Sequence, residues 1–366
     1  MKVLAAFFKY DYGDPRKGLS NEHLVWVPQL HKTGHQIDVF YLEEHGYPDR
    51  TDELQKELLA YVAETRPDIV FFMFMKDEIR NETLQQLATM TKTVNWFCDD
   101  QWRFETYTKY KAPYLTLCLT VDKFCVEKYR LAGLENVRLV SWGPSHEMPL
   151  ECPSTQSFEF DVSFVGQRNE TRDWFIEELA KRGVRVDTFG PGWPNGKVSH
   201  ERMKEIFLKS RINLNLSNSV PNDFNYVVRH HKFQAAVLRA RILSMSPKQV
   251  IMSLVKWVAF VLKGPRPVNE AKNREQIKAR YFEIPACGGF QIGRMVQGLD
   301  DYLCIGKEIV VYSTIDEAAD AIQYFLSRED ARSVITQASY MRVRDYQYST
   351  QLATVFADLG REAVKS

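Results

Sequence analysis

The chain has 366 residues, 45% hydrophobic and 26% charged, a composition that excludes disordered, collagen-like and disulfide-scaffold classes. That length exceeds what one core usually fills, so two domains are expected. Lys plus Arg number 48 against 47 Asp plus Glu, and a balance of +1 argues against a nucleic-acid partner. Cys98, Cys118, Cys125, Cys152, Cys287 and Cys304 form no C-x-x-C pair, which fits neither a zinc site nor a disulfide framework and points to the reducing cytoplasm.

In chain order, residues 1–9 hold too short an apolar run for a signal peptide and read as a buried first strand. No run of 18 uncharged apolar residues occurs anywhere, so no transmembrane helix is expected. Apolar runs at 3–8, 37–41, 69–75, 94–98, 115–120 and 137–142 predict strands, with amphipathic helices over 53–65 and 82–92 between them. Such alternation is the rhythm of a parallel sheet covered on both faces. Thr51 is expected to cap the 53–65 helix, and Gly34 to close an earlier one. Residues 144–157 contain Pro144, Pro149 and Pro153 without periodicity and read as a linker. The rhythm then resumes: strands at 161–165, 184–189, 212–216, 290–292 and 309–311, and helices over 170–182, 200–210, 276–286 and 315–326, the last opened by Ser313 or Thr314. A helical tail over 340–360 follows. The expected division is 1–148 as the first α/β domain, 149–340 as the second, and 341–366 as a C-terminal helix. Ligands of open parallel sheets bind beyond the carboxyl ends of the strands, here in the crevice between two such sheets.

One stretch breaks the pattern. Residues 221–280 carry 12 Lys/Arg against three acids, while the rest of the chain has an excess of eight negative charges. Over 248–263, Gln249, Ser253, Lys256 and Lys263 share one side of a helical pattern, with Val250, Leu254, Val258 and Val261 opposite. Two readings stand: an insertion at 219–273 that docks on an anionic membrane surface or lipid-linked substrate, or a helical hairpin packed on its own domain. Aromatic residues are not interleaved as nucleic-acid stacking requires.

Chemistry concentrates at two places. After the strand 161–165 come Gly166, Arg168 and Arg172 at a strand-to-helix turn, where free backbone N–H groups and guanidinium groups suit a diphosphate; the alternative is solvated or ion-paired arginine. Around 280–290, Glu283 sits among Phe282, Ile284 and Ala286, a costly position for a carboxylate unless it is paired or binds a hydroxyl.

The run Arg280, Phe282, Glu283, Ile284, Pro285, Ala286, Cys287, Gly288, Gly289, Phe290 resembles the sugar-nucleotide signature of GT-B glycosyltransferases. Together with 298–303 (GLDDYL), 309–312 (IVVY), 341–349 (MRVRDYQYS), 95–100 (NWFCDD) and 129–137 (YRLAGLENV), it is similar to the CgeB-like branch associated with spore maturation. Glu275 and Glu283 have the E-x7-E spacing of the glycosyltransferase family 4 relatives, with Gln276-Ile277-Lys278 where those have glycines. The resemblance implies two Rossmann-like domains facing a crevice, with a C-terminal helix crossing back to the first. It also implies a metal-independent transferase without a further cofactor, cytoplasmic or peripheral on the membrane's inner face. Such an enzyme moves a sugar from a nucleotide-diphosphate donor to an envelope polysaccharide, glycolipid or metabolite. A nucleotide-sugar 2-epimerase-like enzyme and a non-catalytic sugar-nucleotide-binding scaffold are the alternatives. By the resemblance, Glu283 holds the ribose hydroxyls, Gly288 and Gly289 admit the backbone to the donor, and Trp193 walls the base or is a loop aromatic. Arg168, Arg172 and Arg280 take the diphosphate charge. For a base the candidates are Asp99, Asp100, Asp14 and His23, each of which has a capping or solvated alternative. One of the adjacent Asp99 and Asp100 is expected to face the crevice and the other to cap a helix.

Overall fold

The computed structural model describes residues 1–155, 157–217 and 276–362. The basic stretch 219–273 and Glu275 lie outside the described residues.

Six strands form the first parallel sheet: β1 (Lys2–Phe7), β2 (Gln36–Tyr41), β3 (Ile69–Phe72), β4 (Lys92–Phe97), β5 (Leu117–Thr120) and β6 (Val137–Leu139), ordered β2-β1-β3-β4-β5-β6. Between them run α1 (Val27–His31), α2 (Thr51–Thr65), α3 (Asn81–Ala88), α4 (Asp100–Arg103) and α5 (Lys123–Leu131). Successive side chains alternate between two buried faces. Leu4, Ala6, Val70 and Phe72 pack with Leu54 and Leu58 of α2, whereas Val3, Ala5, Phe7, Ile69 and Phe71 pack on the opposite side around Trp26.

A second parallel sheet holds β7 (Phe160–Val165), β8 (Asp187–Phe189), β9 (Ser210–Asn215), β10 (Gln291–Arg294) and β11 (Val310–Tyr312), ordered β11-β10-β9-β7-β8. Its helices are α6 (Glu170–Lys181), α7 (His200–Leu208), α8 (Arg280–Ala286), α9 (Ile315–Leu326) and α10 (Glu329–Val343). At α9 the Thr314 hydroxyl takes the Glu317 N–H and the Glu317 carboxylate returns the bond, a capping box. Strand order reverses at β1/β3 in the first sheet and at β7/β9 in the second, and these are the points where a doubly wound sheet opens a ligand crevice.

Some expectations shift. Thr51 is the first residue of α2, and Arg50 stands at the cap position without capping the helix, its side chain paired with Glu53. The helix expected from 276 begins only at Arg280, because residues 276–278 run along the crevice, where Lys278 reaches the first domain. Pro285 within α8 leaves the Tyr281 carbonyl without its helical donor, and the Gln291 side-chain amide supplies one at 2.9 Å.

The tail is two helices rather than one. Tyr340 and Val343 of α10 stay in the second domain's core beside Tyr281 and Phe282, and Gln347 is extended. Helix α11 (Tyr348–Glu362) then crosses to the first sheet, where Tyr348, Leu352, Val355, Phe356 and Leu359 form a buried stripe against Trp26, Phe71 and Trp96. At about 2 kcal/mol for each large apolar side chain buried, this stripe contributes on the order of 10 kcal/mol before conformational entropy is counted.

Candidate active site

At the β7/β9 switch point the chain turns at Gly166, where a Cβ would stand 2.7 Å from the Phe164 ring and 3.3 Å from Arg172. Asn169 caps α6 by accepting the Arg172 N–H. The Arg172 guanidinium donates to the Gln167 carbonyl at 2.7 Å and the Leu216 carbonyl at 2.8 Å, tying the end of β7 to the end of β9. Arg280 enters the same space from α8, over the Phe207 ring and ion-paired with Glu283. Withdrawal from water, with Arg172 close by, pulls the Arg280 guanidinium down to about 10. Lys278 completes the lining of a pocket of about 150 Å³ whose walls include Gly166, Arg172, Asn215 and Arg280. Three cations thus converge above the carboxyl ends of β7 and β9.

Glu283 is 7% exposed, and its carboxylate faces Arg280. Its burial amid apolar neighbours is thereby neutralised, so it acts on this pocket through Arg280.

Other expected donor residues lie elsewhere. Arg168 turns away to Asp173, at 2.7 Å, and over the Trp193 ring. Trp193 is core: it is 7% exposed, packs with Phe164, and donates its indole N–H to the Gly166 carbonyl at 2.9 Å, so it offers no free face to a base. A Cβ on Gly288 would stand 2.2 Å from the Pro153 carbonyl oxygen, and one on Gly289 2.7 Å from that of Phe207. Both glycines admit neighbouring backbone, which by itself accounts for a missing side chain at each.

Across the crevice, Asp99 follows β4 and accepts from Lys278 at 2.7 Å. Burial pushes the Asp99 carboxyl up, but the charge and hydrogen bond of Lys278 outweigh it and leave the group below its usual range. Asp100 is buried in the first domain and accepts from the Thr108 hydroxyl at 2.6 Å and the Tyr129 hydroxyl at 2.8 Å. Burial lifts it to about 6, and it does not line the crevice. Asp99, not Asp100, faces the crevice, and neither side chain makes the expected cap bond at α4. Asp14 caps a short turn, holds Arg16 by two side-chain bonds at 2.9 and 2.8 Å, and is lowered to about 2. His23 Nδ1 lies 2.6 Å from the Tyr41 hydroxyl.

Three residues absent from the expected set stand close to Asp99 or to its neighbour Cys98. Lys278 stands between Asp99 and the cation pocket. Glu22, half-buried where the chain re-enters helix after β1, is pushed up to about 7 by burial, against a hydrogen bond from Ser20. Tyr12 is 52% exposed in the preceding loop, at φ 55°, with Lys17 4.7 Å from its ring centre; Asp99 and Glu22 both act on its hydroxyl. Positive φ at a bulky residue is uncommon and stores some backbone strain. The Lys278 signal was readable two residues ahead of Arg280, whereas Glu22 shows only once β1 and β4 are adjacent to their crevice.

Cys98, Lys123 and Lys128 of the first domain and Gln276, Met295 and Tyr302 of the second line a cavity of about 540 Å³ between the sheets. Lys123 also pairs with Asp301 across it. Among the described residues no helix is long and apolar enough to cross a membrane.

Two facing parallel-sheet domains, a cation pocket at the second domain's switch point and a helix returning to the first domain define the GT-B fold of glycosyltransferases. Residues 247–357 match the family described as glycosyl transferase-like, a span of 111 of the 366 residues. Among curated proteins none matches the sequence. Solved structures do share its shape. Sucrose-phosphate synthase from Thermosynechococcus elongatus superposes with a TM-score of 0.60 at 11% identity, covering 100% of both chains. A glycosyltransferase from Rickettsia africae gives 0.57 at 10% identity, covering 100% of this chain and 99% of the other. Anabaena HepE, solved with UDP-glucose, gives 0.54 at 12% identity, covering 99% of this chain and 100% of that one.

Proposed function

We propose that the protein is a glycosyltransferase that moves a sugar from a nucleotide-diphosphate donor to an acceptor hydroxyl held against the first domain. The observation that carries this reading is the convergence of Arg172, Lys278 and Arg280 beyond the carboxyl ends of β7 and β9. In the transfer, the bond between the sugar's anomeric carbon and the diphosphate breaks while a bond to the acceptor oxygen forms. Charge grows on the departing diphosphate, and preorganised cations are the residues suited to meet it. The three side chains supply that charge without a metal ion. HepE, which shares the fold, is solved with UDP, and this supports a uridine diphosphate donor.

The acceptor proton needs a base if the reaction inverts. Glu22 is the candidate: its carboxyl is tuned to about 7, whereas Asp99 is committed to Lys278 and Asp14 to Arg16. Exposed Tyr12 gives the acceptor an aromatic face to lie on, as a sugar ring would use. The reading extends to a CgeB-like enzyme of the cytoplasm, acting on an envelope, glycolipid or metabolite acceptor, with the basic stretch 221–273 serving an anionic or lipid-linked partner.

The test is the thermal shift with UDP, GDP, TDP, ADP and CMP, since a ligand of the folded state raises Tm by mass action. One diphosphate raises Tm in the wild type. Replacing Arg280 and Glu283 together by Gln, so that no carboxylate is stranded, weakens that response about tenfold or more in concentration. An undiminished response in the double variant sinks the site, and silence with all five nucleotides sinks the reading.

A further inference from the structure

Strand β9 carries the cation pocket at its carboxyl end, and a second, separate cavity lies at its other end. Ser210 and Arg211, which open β9, line a space of about 180 Å³ together with the linker residues Ser154 and Phe158 and with Arg332, Ser333 and Thr336 of α10. Six residues of strand, roughly 17–20 Å, separate the two ends, so the two pockets do not share a ligand.

The unusual member is Arg332. It is 3% exposed, a degree of burial rare for an arginine. Its Nη1 donates to the Phe325 and Leu326 carbonyls at the end of α9, but its Nη2 is buried with no acceptor. A buried N–H of a charged group left unmatched is costly, and native structures seldom tolerate one that serves nothing. The second guanidinium stands over the same ring: Arg211 lies 4.9 Å and Arg332 5.7 Å from the centre of Phe158. Burial holds the Arg332 guanidinium below its usual range, and repulsion from Arg211 adds to the effect. The nearby acids answer this charge poorly. Asp161 pairs with Arg211 at 3.1 Å but is 76% exposed, where ion pairs are weak; Glu329, in the lining, and Asp330 also act on Arg332, and neither forms an ion pair with it among the described residues.

From these observations we propose that this cavity is a binding site for a small oxyanion-bearing molecule, a phosphate or carboxylate, held between Arg211 and Arg332. The hydroxyls of Ser154, Ser333 and Thr336 stand by to complete its hydrogen bonds, and Phe158 forms an apolar wall for the rest of the molecule. Planar guanidinium groups suit this chemistry because they meet oxyanions with two parallel bonds. The site is independent of the transfer reaction proposed above.

The experiment measures Tm of the full-length protein against inorganic phosphate and, separately, acetate, at constant ionic strength. Wild type shows a saturable rise with at least one of the two, and the one that acts names the class. Arg211→Gln, changed at a partly exposed position, shifts the half-saturating concentration upward about tenfold or more. Thr336→Glu places a carboxylate of the chain itself beside the guanidinium pair; it raises the resting Tm and abolishes the response. Lys278→Gln, altered at the other pocket, leaves a saturable response in place. The proposal is overturned if neither anion acts on the wild type, if Arg211→Gln responds as the wild type does, or if Lys278→Gln removes the response.

Discussion

Replacing Glu22 by Gln tests both the electrostatics of the crevice and the base assignment. Burial lifts the carboxyl from 4.5 to about 7 in the folded chain. At about 1.4 kcal/mol per pH unit, ionised Glu22 therefore costs the fold about 3 kcal/mol. The sign follows from linkage: a raised carboxyl prefers its proton when folded, so the cost is absent below 4.5, grows between 4.5 and 7, and is complete above 7. Glu22→Gln has the same shape and no charge at any pH. It is expected to match the wild type in denaturant unfolding near pH 4 and to exceed it by about 3 kcal/mol at pH 8. Asp100, lifted from 3.8 to about 6, titrates in an overlapping window, but it is present in both proteins and cancels in the difference. A wild-type-minus-variant difference that is flat in pH refutes the argument. As the base, Glu22 also gives kcat/KM a rise through about pH 7, which the variant loses with a fall of roughly 100-fold to 10,000-fold in turnover.

Lys278→Gln breaks the link between Asp99 and the cation pocket, so it is expected to raise KM for the donor about tenfold, read by steady-state kinetics. On the proposed reading, in which Arg172, Lys278 and Arg280 supply the countercharge, removing divalent ions with EDTA is expected to leave transfer unchanged within experimental error; loss of activity restored by one metal would replace that account. Trp193→Leu lowers stability by about 2–4 kcal/mol in denaturant unfolding, because a packed core indole is lost. Its donor affinity stays as in the wild type, the opposite of what a base-stacking platform would give.

The doubly wound architecture was legible because buried parallel strands write themselves as apolar runs: β3 is buried at all four positions, and β1 at five of six. The cation pocket was legible in part. Gly166, Arg172, Arg280 and Glu283 meet as a strand-to-helix turn and a nearby short helix suggest. Arg168 and Trp193 stand in two separate loops, yet the fold stacks them on each other, an outcome set by Asp173 and the Gly166 carbonyl rather than by spacing. Gly288 and Gly289 are ambiguous for a related reason, since a glycine demanded by Pro153 or Phe207 looks the same in sequence as one demanded by a ligand. Glu22 was missed because its altered acidity is a property of what surrounds it in space.

The stripe on α11 also bears on how the chain is made. The face of the first sheet built from Val3, Phe7, Phe71 and Trp96 has its covering helix encoded some two hundred residues after β6. At about 5–20 residues per second, the part of that face beyond Val25, Trp26 and Leu30 waits roughly 10–40 seconds for its cover after the sheet's own strands have emerged. During that interval part of an apolar, aromatic-containing surface stays uncovered, so the first domain reaches its final packing only when the last helix of the chain is made.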